Sequence, residues 1–249
     1  MRPLPLPPEL ARLGVQLWHV DAAQAARGLP DDAPMALSPA EREQWRRQRR
    51  APMARVYLHL HWLLRRCLGA MGWACWGMPL ARGPWGQPAV PMEGAPHMSL
   101  SYSEGEGVLA LSRHFPVGVD LECLRPGFPT LTGCWSPAEL ADLARARPQE
   151  ACRLWTRKEA ALKALGTGLA LAPEAVCVQG PVLRWGQPDR LEPVPDVALW
   201  SLTVLPGRCL AVAVHRPAPG PSRPLTPTED PAFPTPFMTA QPTRAPSAP

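Results

Sequence analysis

The sequence predicts an α+β fold made of two similar halves. A first observation is the tetrapeptide Ser-Pro-Ala-Glu, which occurs at 38–41 and again at 136–139. In each copy the serine suits a helix cap, the proline the first turn and the glutamate a capping box. A second observation is the order of elements in each half: a strand, the capped helix, a longer helix and further strands. We therefore expect two α/β subdomains, 1–115 and 116–215, with a ligand in the cleft between them and a disordered proline-rich tail at 216–249.

Length and composition are compatible with this architecture. A chain of 249 residues can bury one large core or two small ones. Its net charge of +5 suits an acidic or phosphorylated partner and does not demand nucleic acid. No segment resembles a signal peptide or is apolar for long enough to span a bilayer. The seven cysteines are scattered and include no Cys-x-x-Cys pair, so we expect reduced thiols and a cytoplasmic location. From the mild charge and the lack of a long apolar run we expect neither a nucleic-acid nor a membrane partner.

The first capped helix leads into a basic stretch. It is expected to run through Trp45 into the arginines at 46–50, and Pro52 separates it from a second helix over 55–70. These arginines either bind phosphate or form a solvated helix face, and the pattern leaves both interpretations open. Residues 97–103 then predict a strand.

Two carboxylates share one face of a predicted strand in the second half. Residues 117–122, VGVDLE, are apolar enough for a buried strand, and its period of two places Asp120 and Glu122 on the same side. Adjacent carboxylates repel each other unless a cation lies between them. The strand end is therefore a candidate cation site.

A helix follows that carries a third carboxylate. Residues 154–169 show helical periodicity that ends at Gly166, the expected C-terminal glycine. Glu159 and Lys163 lie one turn apart on one face. A core helix with one surface Glu–Lys pair would explain this spacing. With the two strand carboxylates, however, Glu159 completes an all-oxygen set of the kind that Mg²⁺ prefers.

Taken in order, these motifs resemble the pattern of the 4′-phosphopantetheinyl transferases, specifically the larger Sfp-type members. The segments that carry the resemblance are VGVDLE, WSPAE and LWTRKEAALKALGTGL. The resemblance implies two subdomains related by pseudo-twofold symmetry, an active site in the cleft between them and a monomeric enzyme. It implies transfer of the 4′-phosphopantetheine arm of coenzyme A to a serine of an apo acyl, polyketide or non-ribosomal-peptide carrier protein. Adenosine 3′,5′-bisphosphate would leave, and Mg²⁺ would be the cofactor.

The same resemblance implies roles for individual residues, which fall into three groups. The metal ligands would be Asp120, Glu122 and Glu159. The residues that hold coenzyme A would be Arg55, Ser101, Tyr102, Lys158 and Lys163, with Arg65 as a further candidate. The catalytic residues would be Glu139, as the base for the carrier serine, together with Lys158 and Lys163. For Glu139, helix capping alone is an equally simple explanation.

Some positions depart from the family pattern. Gln87 and Tyr102 stand where lysine and histidine are usual, so two positive charges are absent, although His97 is a nearby candidate to compensate. These departures motivate an alternative, a coenzyme A-binding paralogue with weakened catalysis. A second alternative is another Mg²⁺-dependent phosphoryl transferase, such as a nuclease, that uses the same carboxylates.

Overall fold

Helices and antiparallel strands make up the computed structural model, which describes residues 2–83, 87–124, 133–144, 147–168, 171–180, 182–187 and 190–216. The helices are α1 (Pro8–Arg12), α2 (Ala22–Ala25), α3 (Pro39–Arg46), α4 (Ala51–Ala70), α5 (Pro137–Leu143) and α6 (Pro148–Leu165). The strands are β1 (Arg2–Pro3), β2 (Val15–Asp21), β3 (Ala81–Arg82), β4 (Pro88–Ala89), β5 (His97–Ser103), β6 (Glu106–Ser112), β7 (Val117–Cys123), β8 (Val176–Cys177), β9 (Val182–Gln187), β10 (Arg190–Leu202) and β11 (Arg208–His215). The tail predicted at 216–249 lies, from residue 217 onward, outside the described residues.

The described strands form two main sheets and one small hairpin. The first sheet has the order β1-β2-β6-β5, the second has the order β7-β11-β10-β9-β8, and β3 pairs with β4. Every pair is antiparallel. The predicted mixture of helices and strands is therefore confirmed. The division into two subdomains and their pseudo-twofold relation stay predictions.

Local sequence signals set the starts and ends of both short and long helices. Both predicted capping boxes are present, at Ser38 before α3 and at Ser136 before α5. Helix α6 ends as predicted at Gly166, whose φ is 74°. Both long helices begin earlier than predicted, α4 at residue 51 and α6 at residue 148, each with a proline in its first turn. A proline is tolerated there because the first N–H groups of a helix have no partner within the helix.

Buried clusters show how these elements pack. One cluster joins α4 to one face of the first sheet, and another joins α6 to the second sheet. A third lies between the sheets and includes Leu17 and Val108 from the first and Val119 and Val212 from the second. The main elements are thus layered as α4, first sheet, second sheet and α6. Within the described ranges, none of the helices combines the length and apolar character that a membrane span needs.

Each long helix lies very close to its sheet at a glycine. A Cβ atom built on Gly118 of β7 would lie 1.9 Å from the carbonyl oxygen of Ala160 in α6. A Cβ atom built on Gly107 of β6 would lie 2.4 Å from Leu60 Cδ1 in α4. The contact at Gly118 involves helix backbone, so this glycine is what lets α6 lie against β7 beside Asp120.

Candidate functional site

The carboxylate of Asp120 is almost completely buried on β7, with the residue 4% exposed. Its Oδ1 accepts hydrogen bonds from Ser101 Oγ at 2.8 Å and from Lys163 Nζ at 2.7 Å. Its Oδ2 is buried and has no hydrogen-bond partner within the described part of the chain. A buried carboxylate oxygen without a partner is energetically costly. This oxygen is therefore well suited to binding a cation.

The other two predicted carboxylates are neighbours of Asp120. Glu122 Oε2 accepts a hydrogen bond from Ser103 Oγ at 3.1 Å. Burial raises the pKa of Glu159 on α6, Lys163 opposes this rise, and the negative charges of Asp120 and Glu122 add to it. The three carboxylates thus influence one another electrostatically.

Proximity does not by itself make these carboxylates a formed metal centre. Among the residues that the structure describes, no three His, Cys, Asp or Glu side chains are grouped so that they could hold a metal ion. The donor set nevertheless fits Mg²⁺, which takes a few carboxylate oxygens and fills its other positions with water and substrate phosphates. The unpartnered Oδ2 of Asp120 points to the same conclusion.

Lys163 connects the acidic group to open space. Besides its contact with Asp120, its Nζ donates to the carbonyl oxygen of Val119 at 3.0 Å. Its side chain lines two adjoining cavities, one of about 390 Å³ and one of about 540 Å³. The structure therefore places Lys163 in contact with Asp120 and at the wall of both cavities, while its role in binding coenzyme A stays a prediction.

Lys158 and Glu139, two predicted catalytic residues, are paired with each other away from this space. Neither side chain has any solvent exposure, and Lys158 Nζ donates to Glu139 Oε2 at 2.7 Å. The same ammonium donates to the carbonyl oxygens of Cys134 and Pro173, both at 2.8 Å, so all its protons have acceptors. Their geometry describes a buried ion pair that ties α6 to the start of α5. A role for either residue in catalysis stays a prediction.

Both carboxylate oxygens of Glu139 also accept hydrogen bonds from the backbone. The backbone N–H of Ser136 donates to Oε2 at 2.9 Å, and the backbone N–H of Val178 donates to Oε1 at 3.0 Å. The contact with Ser136 is the capping arrangement that the sequence offered as an equally simple explanation.

The two arginines of α4 that were predicted to contact coenzyme A lie in different environments, one buried and one exposed. Arg65 is fully buried, and it donates to Glu41 Oε2 at 2.7 Å and to the carbonyl oxygens of Cys75 and Met78. It therefore supports the fold and does not face either cavity. Arg55 is exposed on α4 and lines neither of the two cavities.

Ser101 and Tyr102 are consecutive residues of β5, and only Ser101 contacts the acidic group. The hydroxyl of Ser101 donates to Asp120, so its proton is already used within the protein. Tyr102 lines the smaller cavity, and its hydroxyl is buried without a hydrogen-bond partner in the described part of the chain. Burial, followed by the charges of Tyr57 and Glu41, raises the pKa of Tyr102. Tyr102 is thus a neutral hydrogen-bonding group at the cavity wall.

Sequence reasoning missed several residues of the smaller cavity. Arg82 lies on the β3–β4 hairpin, and Tyr57 stacks on His61 with ring centroids 4.1 Å apart. The cavity wall also includes Glu41, the last residue of the first Ser-Pro-Ala-Glu copy. The repeated motif gives Glu41 the same local sequence signal as Glu139. Arg82 stands in a segment without periodicity, and nothing local marked it.

The larger cavity is lined by a second group of basic side chains. They come from the ends of strands and the turns next to them: His97, Arg113, His114 and His215. Burial lowers the pKa of His97. His97 therefore lines the larger cavity, but as a largely neutral imidazole at pH 7 it supplies little of the missing positive charge.

Comparisons with known proteins point to one superfamily. Residues 116–191 match the model of the 4′-phosphopantetheinyl transferase superfamily. A 4′-phosphopantetheinyl transferase from Bacillus subtilis is 29% identical over 100 residues, which cover 38% of this chain and 44% of that protein. The predicted resemblance to this superfamily is confirmed. The chain thus spans less than half the length of the curated relative that it matches.

The superfamily segment contains one side of the site. Asp120, Glu122, Glu159 and Lys163 all lie within it, as does the Glu139–Lys158 pair. Arg55, Ser101 and Tyr102 precede it, as does most of the wall of the smaller cavity. The match therefore supports the acidic group most directly, and the Sfp type stays a prediction.

Proposed function

We propose that this protein transfers the 4′-phosphopantetheine arm of coenzyme A to a serine of an apo carrier protein. The observation that carries the proposal is Asp120, which lies within the superfamily segment. It combines a buried, unpartnered Oδ2 with an Oδ1 held by Lys163, the residue that lines both cavities. In this proposal Asp120 would bind the metal ion, and the neighbouring Lys163 would contact the phosphates of coenzyme A.

In the proposed reaction the carrier serine hydroxyl attacks the β-phosphorus of the pyrophosphate. A new oxygen–phosphorus bond forms, the bond to the bridging oxygen breaks, and adenosine 3′,5′-bisphosphate leaves. Reactions of this class depend chiefly on positioning and on neutralising phosphate charge. Asp120 and Glu122, with Glu159 nearby, would hold Mg²⁺, which supplies positive charge to the pyrophosphate oxygens.

The chain's own side chains would share this work. Lys163 would contact phosphate oxygens as a point charge. Arg82 and Tyr102, which also line the smaller cavity, would contact the nucleotide. The serine proton would pass to solvent or to a basic group of the complex. Glu139 would support this site indirectly, by holding α6 through Lys158. Its carboxylate is enclosed by Ser136, Val178 and Lys158.

We further propose a monomeric, cytoplasmic enzyme whose partners are coenzyme A and an acyl, polyketide or non-ribosomal-peptide carrier. The thiols of all seven cysteines are free, which suits a reducing compartment. Size-exclusion chromatography with light scattering tests the monomer. Incubation with one carrier of each class tests the carrier preference.

Intact-protein mass spectrometry tests the activity. An apo carrier incubated with this protein, coenzyme A and Mg²⁺ should gain the mass of one phosphopantetheine group, and a chelator should prevent the gain. Asp120→Asn should lower the rate at least about a hundredfold, because it removes the charge that binds the cation. Asp142→Asn, on the exposed surface of α5, is the matched control and should keep the wild-type rate. Coenzyme A binding without any transfer to the three carrier classes would instead indicate a non-catalytic binding protein.

A further inference from the structure

The two sheets meet along an unusual junction between β5 and β7. These are edge strands of different sheets, so they share no backbone ladder. In an edge strand, alternate N–H groups point away from the neighbouring strand and need other acceptors. On β7 the N–H groups of Val119, Leu121 and Cys123 are of this kind.

A row of serines on β5 accepts all of these bonds. The N–H of Val119 donates to Ser99 Oγ at 3.0 Å. In the same way Leu121 donates to Ser101 Oγ at 3.2 Å and Cys123 donates to Ser103 Oγ at 3.1 Å. The serines occur at every second residue, and this matches the period of both strands. We call Ser99, Ser101 and Ser103 the serine seam.

Two members of the serine seam also hold the acidic residues. Ser101 Oγ donates to Asp120 Oδ1 at 2.8 Å, and Ser103 Oγ donates to Glu122 Oε2 at 3.1 Å. A hydroxyl has one proton to donate and lone pairs to accept, so each serine can make both contacts at once. Each thus links a β7 N–H to the carboxylate of the preceding residue.

Ser99 makes only the first kind of contact. The residue that precedes its partner Val119 is Gly118, which has no side chain to receive a hydrogen bond. Ser99 therefore shares the structural part of the arrangement without the contact to a carboxylate. It is a matched internal control that the chain itself provides.

We propose that Ser101 and Ser103 are positioning residues that orient Asp120 and Glu122 for metal binding from across the junction of the two sheets. This inference rests on the proposed function, in which these carboxylates bind the metal. Ser101 restricts Oδ1 of Asp120, which leaves the unpartnered Oδ2 as the oxygen available to a cation. Partners of this kind fix the direction of a metal ligand, and their loss commonly weakens metal affinity.

The test measures Mn²⁺ binding by calorimetry on the full chain, with and without coenzyme A, together with the thermal midpoint. We expect Ser101→Ala and Ser103→Ala to weaken Mn²⁺ binding about 10- to 100-fold. Ser99→Ala should lower the thermal midpoint by a similar amount as the other two and leave Mn²⁺ affinity within about twofold. Ser101→Thr, which keeps a hydroxyl, should restore affinity and separate positioning from a loss of folding.

The outcomes separate this inference from the function on which it rests. Equal Mn²⁺ affinity in all three alanine variants, or an equal loss in all three, would overturn the positioning role while the metal site stands. If Ser101→Thr fails to restore affinity in a folded protein, the hydroxyl is not what positions Asp120. A wild-type chain that binds no Mn²⁺, with or without coenzyme A, would overturn the proposed metal site and this inference together.

Discussion

Glu41 and Glu139 end the same tetrapeptide in the two halves of the chain, and both are buried beside a cation from the following long helix. Glu41 contacts Arg65 of α4 at 2.7 Å, and Glu139 contacts Lys158 of α6 at 2.7 Å. Each glutamate also completes the capping box of its short helix. The two halves thus repeat a structural device that the tetrapeptide alone did not reveal.

Their surroundings differ on the side away from the cation. Glu41 has a second partner, His61 Nδ1 at 3.0 Å, and it lines the smaller cavity. Glu139 is enclosed, with no exposure of its side chain. One copy of the motif therefore forms part of a cavity wall, and the other supports the helix that carries Glu159 and Lys163. A repeated motif can serve the same local purpose while tertiary contacts give its copies different roles.

Removing the cation of the enclosed pair should have the largest effect on stability. Lys158→Met leaves the Glu139 carboxylate buried without its positive partner, and we expect a loss of about 3–5 kcal/mol in the free energy of unfolding. Urea denaturation measures this loss. The double variant Lys158→Met/Glu139→Gln should recover part of it, because no unpaired charge remains. A loss below about 1 kcal/mol would mean that the pair does not support α6.

Substitutions of the two glycines that contact the long helices should have the next largest effects on stability, and these effects should differ from each other. Gly118→Ala brings Cβ to 1.9 Å from the backbone oxygen of Ala160, so α6 must shift as a unit. Gly107→Ala meets Leu60 Cδ1 at 2.4 Å, a side-chain atom that can rotate away. We expect losses of about 3 kcal/mol or more at Gly118 and about 1–2 kcal/mol at Gly107. Thermal unfolding compares the two, and equal losses would contradict a tighter helix contact in the second half.

Removing Arg65, the cation paired with Glu41, should lower the stability of the protein less than removing Lys158 does. Arg65→Met leaves Glu41 with His61 as a partner, so we expect a loss of about 2–3 kcal/mol in the free energy of unfolding. The same urea experiment measures it. A loss equal to that of Lys158→Met would show that His61 does not compensate for the missing guanidinium.

Protonation of Glu41 in acid should also destabilise the protein, by less than the substitutions above. Burial alone would raise the pKa of Glu41, but the hydrogen bond and charge of His61, the Ser38 N–H and Arg65 together lower it from 4.5 to about 2. A lowered pKa stabilises the fold fully above the ordinary value of 4.5, and this stability is lost as the pH falls towards about 2. Urea midpoints across this range should fall less steeply in Glu41→Gln than in the wild type. An unchanged slope would show that Glu41 is not the group being protonated.

Patterns within short segments were sufficient for much of the fold. The capping boxes, the end of α6 at Gly166 and the strand that carries Asp120 were predicted correctly. Each depends on contacts among residues a few positions apart, so the sequence shows both partners together. The periods of two and of about four also correctly placed Glu122 beside Asp120 on one strand face and Lys163 one turn from Glu159.

The prediction was weakest for residues whose partners are distant in the chain. Arg65 was expected to contact coenzyme A, yet it is used by Glu41 and by the carbonyl oxygens of Cys75 and Met78. Ser101 was expected to donate to a phosphate, yet it donates to Asp120. In both cases a polar group found a partner inside the protein, because a buried donor without an acceptor is costly.

The sequence by itself determined the local helix and strand signals, the order of the motifs and their resemblance to one superfamily. Only the tertiary structure decided that Lys158 and Glu139 are enclosed, that Glu41 borders a cavity and that β5 and β7 meet through serines. The physical reason is the separation along the chain over which each kind of interaction acts. Caps and periodicity act between neighbours in the chain, whereas burial and the pairing of polar groups depend on which distant elements pack together.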